Sequence, residues 1–174
     1  IEVVRKLRAL TPILSLDPQG FVRAFNERGN VHLKLWDRPE VLEQIDVYKS
    51  SLDELRLVTG MDDVKPAMRR IQDHGARVIL VTRGDKGSLL LFKETFCAVP
   101  ACKPRVFLDP TGAGDAFIGA FLAEYVQGKD PLWCACVGSA SASFVVEGIG
   151  PSVFGEKQET YRRATEIYES DLRE

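Results

Sequence analysis

The run Arg77-Val78-Ile79-Leu80-Val81-Thr82 constrains the fold more than any other stretch of this chain. A short, continuous apolar segment without two-residue alternation is typical of a strand buried on both faces, and such a strand needs helices to cover it. Helical patterns flank it: 2–10, Leu52–Val58 closed by Gly60, and 62–74 with Val64, Ala67, Met68 and Ile71 on one face. Further helices are expected from about Ala113 to Gln127, from Leu132 to Val146 and from Glu156 to Ser170. Strands are expected at 13–16, Ile45–Tyr48, Ser88–Phe92, Thr95–Val99 and Val106–Leu108, with a helical turn from Pro39 to Gln44. Val31–Leu35 alternates as a strand would, although a loop joined to a short helix fits it equally well. Strands alternating with helices imply an α/β domain with a mainly parallel sheet and helices on both faces.

With 174 residues the chain suffices for one domain and is short for two. A formal charge of −2 leaves no electrostatic footprint for nucleic acid, so an anionic ligand must be held by local geometry. No apolar run reaches the length of a bilayer span, so no membrane partner is expected. The cysteines at 97, 102, 134 and 136 read as reduced, mostly buried thiols of a cytoplasmic protein, because Cys134 and Cys136 fall on different faces of one helix. Ile1–Leu7 reads as a helix already under way, which suggests a missing upstream part.

The chemistry concentrates in Asp109-Pro110-Thr111-Gly112-Ala113-Gly114-Asp115, expected to join a strand to a helix. Glycines there let the backbone approach a ligand closely, and the first amides of the following helix have no intrahelical partner. Together they form an anion site at the positive end of a helix. Asp115 sits in the first turn beside that site. A carboxylate there is favoured in its charged form and is a weak base, yet phosphoryl transfer asks little of the nucleophile until late. A plain helix-start carboxylate is the structural alternative. Neither a P-loop pattern nor a Gly-x-Gly-x-x-Gly turn is present.

Asp109–Phe117, followed by Gly119-Ala120-Phe121, resembles the C-terminal signature of ribokinase-like (PfkB-type) carbohydrate and nucleoside kinases. The resemblance implies a three-layer ribokinase-like fold, of which residues 1–174 would be the C-terminal nucleotide-binding and catalytic portion, the N-terminal part and lid being absent. It implies Asp115 as catalytic base, with Gly112, Ala113 and Gly114 forming the anion hole for a γ-phosphate beside Thr111. Thr82-Arg83-Gly84-Asp85-Lys86-Gly87 is similar to the family's turn that contacts nucleotide phosphates and ribose, and Leu16–Gly20 to its mid-chain strand end. Glu147-Gly148-Ile149-Gly150-Pro151 falls where the family brackets adenine. Thr82, Gly84, Gly87, Thr111 and Gly148 are therefore nucleotide-binding candidates. Read without the family, Gly84 and Gly87 serve equally as hairpin glycines, and Gly148 and Gly150 as a helix stop.

Lys49–Glu54 falls where the family carries Asn-x-x-Glu, tied to magnesium and phosphate. Glu54 matches and would reach the metal through water, while Ser51 replaces Asn. On residues alone, Ser51 is a helix N-cap and Glu54 its capping-box partner. His74 suits a helix C-terminus, and His32 a surface position; Trp36 and Trp133 read as packing residues. Lys103 and Arg105 read as a solvated pair, with phosphate steering as the alternative.

The resemblance thus implies ATP-dependent phosphorylation of a hydroxyl on a sugar, sugar phosphate or nucleoside, with ATP and Mg2+ as cofactors. The alternative is a nucleotide-binding regulatory module or a catalytically incomplete fragment. A chain without the family's N-terminal half also exposes sheet edge and core, which favours self-association into a homo-oligomer.

Overall fold

In the computed structural model, which describes residues 1–36 and 38–169, the 77–82 run is strand β5, Val78–Thr82, and Val78, Ile79, Leu80 and Val81 are all fully buried. The chain divides into two compact units.

The first unit comprises residues 1–82 and 91–95. Its parallel ladder runs in the order β1 (Ser15–Leu16), β4 (Val47–Ser51), β5, with Val47 opposite Val78 and Ser51 opposite Thr82. Helices α3 (Leu52–Thr59) and α4 (Val64–Asp73) pack on it through Leu55, Ala67, Met68 and Ile71. Each large apolar side chain so buried contributes about 1.5–3 kcal/mol. Helix α3 begins with the expected capping box: Glu54 N–H donates to Ser51 Oγ at 3.3 Å, and Ser51 N–H donates to Glu54 Oε2 at 2.8 Å. It ends at Gly60, whose φ of 69° is the left-handed stop that a Cβ disfavours. His74 is the C-cap of α4. Helix α1 (Glu2–Leu10) is tied down by the ion pair of Arg8 with buried Asp46. A short helix α2 (Gln19–Val22) leads into the antiparallel hairpin of β2 (Arg23–Phe25) and β3 (Val31–Leu33), so the alternation at 31–35 is a strand over its first three residues only, and Lys34 and Leu35 lie outside the ladder.

The second unit comprises, of the described residues, 83–90 and 96–169. Strands β6 (Ser88–Phe92) and β7 (Thr95–Val99), whose Leu91, Phe92 and Thr95 are counted with the first unit, are hydrogen-bonded neighbours whose two-residue link makes them antiparallel. Three helices follow: α5 (Ala113–Tyr125), α6 (Pro131–Val145) and α7 (Lys157–Tyr168). The expected end of the last one, Ser170, lies outside the described residues. Asp130 caps α6 by accepting from the amides of Leu132 and Trp133. Buried Glu124 of α5 accepts from Tyr161 Oη at 2.6 Å and from Trp133 Nε1 at 3.3 Å, joining all three helices through one carboxylate.

Helices α5 and α6 cross closely at Gly138, where an added Cβ would lie 2.8 Å from the Phe117 carbonyl oxygen. Gly138→Ala is therefore expected to destabilise the protein by about 1–3 kcal/mol, read as a lower urea midpoint with an unchanged m-value. Cys134 and Cys136 are fully buried, and burial pushes each thiol up to about 12. An acid whose folded value is raised contributes stability below its unfolded value near 9.0, and that contribution is lost as pH rises from 9 toward 12. The urea midpoint should accordingly fall above pH 9, and both thiols should resist alkylation in the native protein at pH 8.

Two expectations are corrected. Val106–Leu108 is not a strand. Its side chains are 49%, 64% and 55% exposed, and the Leu108 amide donates to Val146 O rather than to a ladder. The loop before α5 is thus entered from a solvent-facing segment. The strand placed at Ile45–Tyr48 is shifted to Val47–Ser51, because its register follows the Val47–Val78 pairing rather than local apolarity. Among the described residues no helix is long and apolar enough to cross a membrane.

Candidate active site

Asp109 organises the loop that opens α5. Its Oδ1 accepts from the Thr111 amide at 2.9 Å and from Thr111 Oγ1 at 2.7 Å, an Asx-type turn that sets up the helix start. Its Oδ2 accepts from the Gly150 amide at 2.8 Å, joining the loop to the turn after α6. The Thr111 hydroxyl first, then the Thr111 and Gly150 amides, hold the Asp109 carboxyl below the usual carboxylate range. These bonds are present above the ordinary value of 3.8 and are lost as pH falls through the lowered one.

Gly112 is the N-cap of α5, with φ 84°, and Pro151 packs against it so closely that an added Cβ would lie 3.1 Å from Pro151 Cβ. A side chain is disfavoured there both by conformation and by space. The Ala113 amide donates to Pro110 O at 3.1 Å. Among the described residues the amides of Gly112, Gly114 and Asp115 donate to no protein acceptor. Those three N–H groups lie at the positive end of a 13-residue helix, a geometry suited to an oxyanion. Asp115, at the third helical position, is exposed.

Gly148 is buried in the turn after α6, where a Cβ would lie 2.7 Å from Val153 Cγ2. The neighbouring Glu147 is pushed up by desolvation. The Arg105 amide at 2.8 Å and the Arg163 guanidinium at 2.9 Å outweigh that and lower its carboxyl overall. Gly84 and Gly87 bracket the turn after β5, with φ of 63° and 76°. The Arg83 amide donates to Gly87 O at 2.7 Å, closing that turn, and a Cβ on Gly87 would strike the Val99 carbonyl. Both glycines therefore have a conformational reason to be there, independent of any ligand.

The loop, the 83–87 turn and Gly148 belong to the second unit, whereas Thr82 and Glu54 belong to the first. Thr82 ends β5 and donates from Oγ1 to Ser50 O at 3.3 Å. Glu54 is buried, and while Oε2 serves the capping box, Oε1 accepts from Arg23 Nη2 at 3.3 Å. No cluster of three or more His, Cys, Asp or Glu able to hold a metal ion occurs among the described residues. The bonds from Asp109 to Gly150 and from Glu147 to Arg105 and Arg163 span 41, 42 and 16 residues, and no local pattern announces them.

Comparison with known proteins places this loop in context. The description "pfkB family carbohydrate kinase" matches residues 23–157. Cytidine kinase of Thermococcus kodakarensis is 36% identical over 113 residues, covering 64% of this chain and 40% of that protein. Nucleoside kinase of Methanocaldococcus jannaschii is 44% identical over 82 residues, covering 46% of this chain and 27% of that protein. The crystal structure of a Methanocaldococcus jannaschii nucleoside kinase, an archaeal member of the ribokinase family, superposes with a TM-score of 0.70 at 26% identity, over 88% of this chain and 48% of that one. The chain therefore spans less than half the length of these relatives.

Proposed function

Because this chain belongs to the pfkB family of carbohydrate kinases, we propose that it carries the phosphate-binding and base portion of an ATP-dependent kinase. The acceptor is a hydroxyl of a sugar, sugar phosphate or nucleoside. One observation carries this reading: three free amides, at Gly112, Gly114 and Asp115, meet an exposed carboxylate in one helical turn that Asp109 braces.

In this reading the three amides stabilise charge on the transferring γ-phosphoryl group, the term that dominates when little covalent work is left to the protein. Asp115 orients the acceptor hydroxyl and takes its proton late. Within the second unit Gly84, Gly87, Thr111 and Gly148 are assigned to the nucleotide, as the family resemblance implies, and Thr82 is the resemblance's candidate in the first unit. The amide cradle fits a nucleotide phosphate. Mg2+ fits these residues only as an ion carried on the donor's phosphates, since Glu54 already serves Ser51 and Arg23 and would reach a metal only through water.

Calorimetry with ATP and with ADP tests the assignment. Binding of both, tighter for the nucleotide that fills the amide cradle, is expected, and no binding of either would leave a plain α/β domain. A second reading, a nucleotide-binding module without turnover, rests on the same three free amides, which can hold a phosphate with no acceptor site beside them. That reading predicts the same binding with no phosphoryl transfer.

A further inference from the structure

In the second unit, the segment after β7 and helix α7 border an open cleft of about 440 Å3 lined by Cys102, Lys103, Arg105, Arg162, Arg163 and Glu166, among others. No residue of the 109–115 loop lines it. Arg163 is its built element. It is 4% exposed, its guanidinium lies 3.7 Å from the centre of the Phe144 ring, and Nη1 donates to Ser143 Oγ at 2.7 Å and to Glu147 Oε1 at 2.9 Å. Nη2 is buried and has no hydrogen-bond partner among the described residues. A guanidinium N–H left without an acceptor is costly, and an acceptor that entered the cleft and displaced the side chains covering Nη2 would relieve that cost.

The charges around the cleft come from the 100–105 segment, from α7 and from the turn after α6. Arg105 pairs with Glu159 at 3.3 Å, Arg162 pairs with Glu159 and Glu166, and Arg163 pairs with Glu147. Lys103 pairs with no carboxylate among the described residues. Lys103, Arg105, Arg162 and Arg163 thus face Glu147, Glu159 and Glu166, leaving a net positive wall in a chain whose formal charge is −2.

We propose that this cleft binds a small anion bearing a carboxylate or phosphate group, with Arg163 and Lys103 as its donors, at a site separate from the amide cradle. An anion there competes with Glu147 for Arg163. Glu147 begins the turn whose Gly150 amide holds Asp109, so occupancy is linked through two hydrogen bonds to the loop.

Cys102 reports on the site, because it lines the cleft and is half-buried, whereas Cys97, Cys134 and Cys136 are buried. Its alkylation by anionic iodoacetate and by neutral iodoacetamide is compared with that of N-acetylcysteine amide. The iodoacetate-to-iodoacetamide rate ratio should be higher at Cys102 by roughly fivefold or more, as expected where positive walls concentrate an anion. Lys103→Ala should bring the ratio back toward the free thiol, and Glu166→Gln should raise it. Citrate and inorganic phosphate are then added at fixed ionic strength. Protection by citrate assigns a carboxylate ligand, and protection by phosphate a phosphoryl ligand. Protection equal to that by chloride overturns the proposal, as does a ratio equal to that of the free thiol. A thermal shift read in parallel covers an unreactive thiol. Citrate or phosphate should raise Tm in the parent chain and less in Lys103→Ala, and equal shifts in both overturn the site.

Discussion

Asp115→Asn should lower turnover by roughly 10²–10⁴-fold while leaving nucleotide affinity within about twofold. Asparagine keeps the size and most of the hydrogen-bonding surface of the aspartate but cannot accept the hydroxyl proton. The Asp115 side chain is exposed and accepts no hydrogen bond among those described, so its loss removes no internal contact of the fold. The amide cradle is made of backbone N–H groups, which the substitution leaves in place. Steady-state kinetics and nucleotide calorimetry on the same preparation separate the two effects. A parallel fall in turnover and affinity would mean that Asp115 only shapes the helix start.

Asp109→Ala should show the opposite signature, with turnover and nucleotide affinity falling together, turnover by roughly 10²-fold. The substitution removes three hydrogen bonds: the Thr111 amide, the Thr111 hydroxyl and the Gly150 amide, all donors, lose the carboxylate that accepts from them. Gly112 then has no fixed approach to Pro151, and the amides of Gly112, Gly114 and Asp115 no longer converge. Displacing oriented donors by about 1 Å is enough for a loss of this size. The pH dependence runs in the same direction. The Asp109 bonds persist above the ordinary carboxylate range and fail as pH falls through its lowered value. Loop protection measured by amide exchange should therefore drop below about pH 4 in the parent chain and be low at every pH in Asp109→Ala. Unchanged affinity in Asp109→Ala would remove the bracing role.

What could be read before the structure was local. The 77–82 run, the Ser51–Glu54 capping box, the Gly60 stop and the α4 face of Ala67, Met68 and Ile71 all follow from contacts within a few residues, and each is present. Val106–Leu108 misled because an apolar triplet carries strand propensity whether or not a ladder is there to receive it; here the triplet faces solvent. The start of β4 was displaced for a related reason: pairing with β5 decides it, and Ile45 is merely buried beside it. In the candidate site, the glycines and Asp115 were legible because a loop opening a helix has a fixed logic of free amides. Asp109 was visible only as part of a motif. Its bracing of Gly150 spans 41 residues, and such a bond has no signature in composition or spacing. The same holds for Glu147, whose partners Arg105 and Arg163 come from either side of it in the chain.

Phosphoryl transfer from labelled ATP to a panel of sugars and nucleosides tests the central claim most directly. Label on at least one hydroxyl acceptor is expected, abolished by Asp115→Asn. ATP bound with no acceptor labelled would contradict it and leave the loop as a nucleotide-binding element without catalysis.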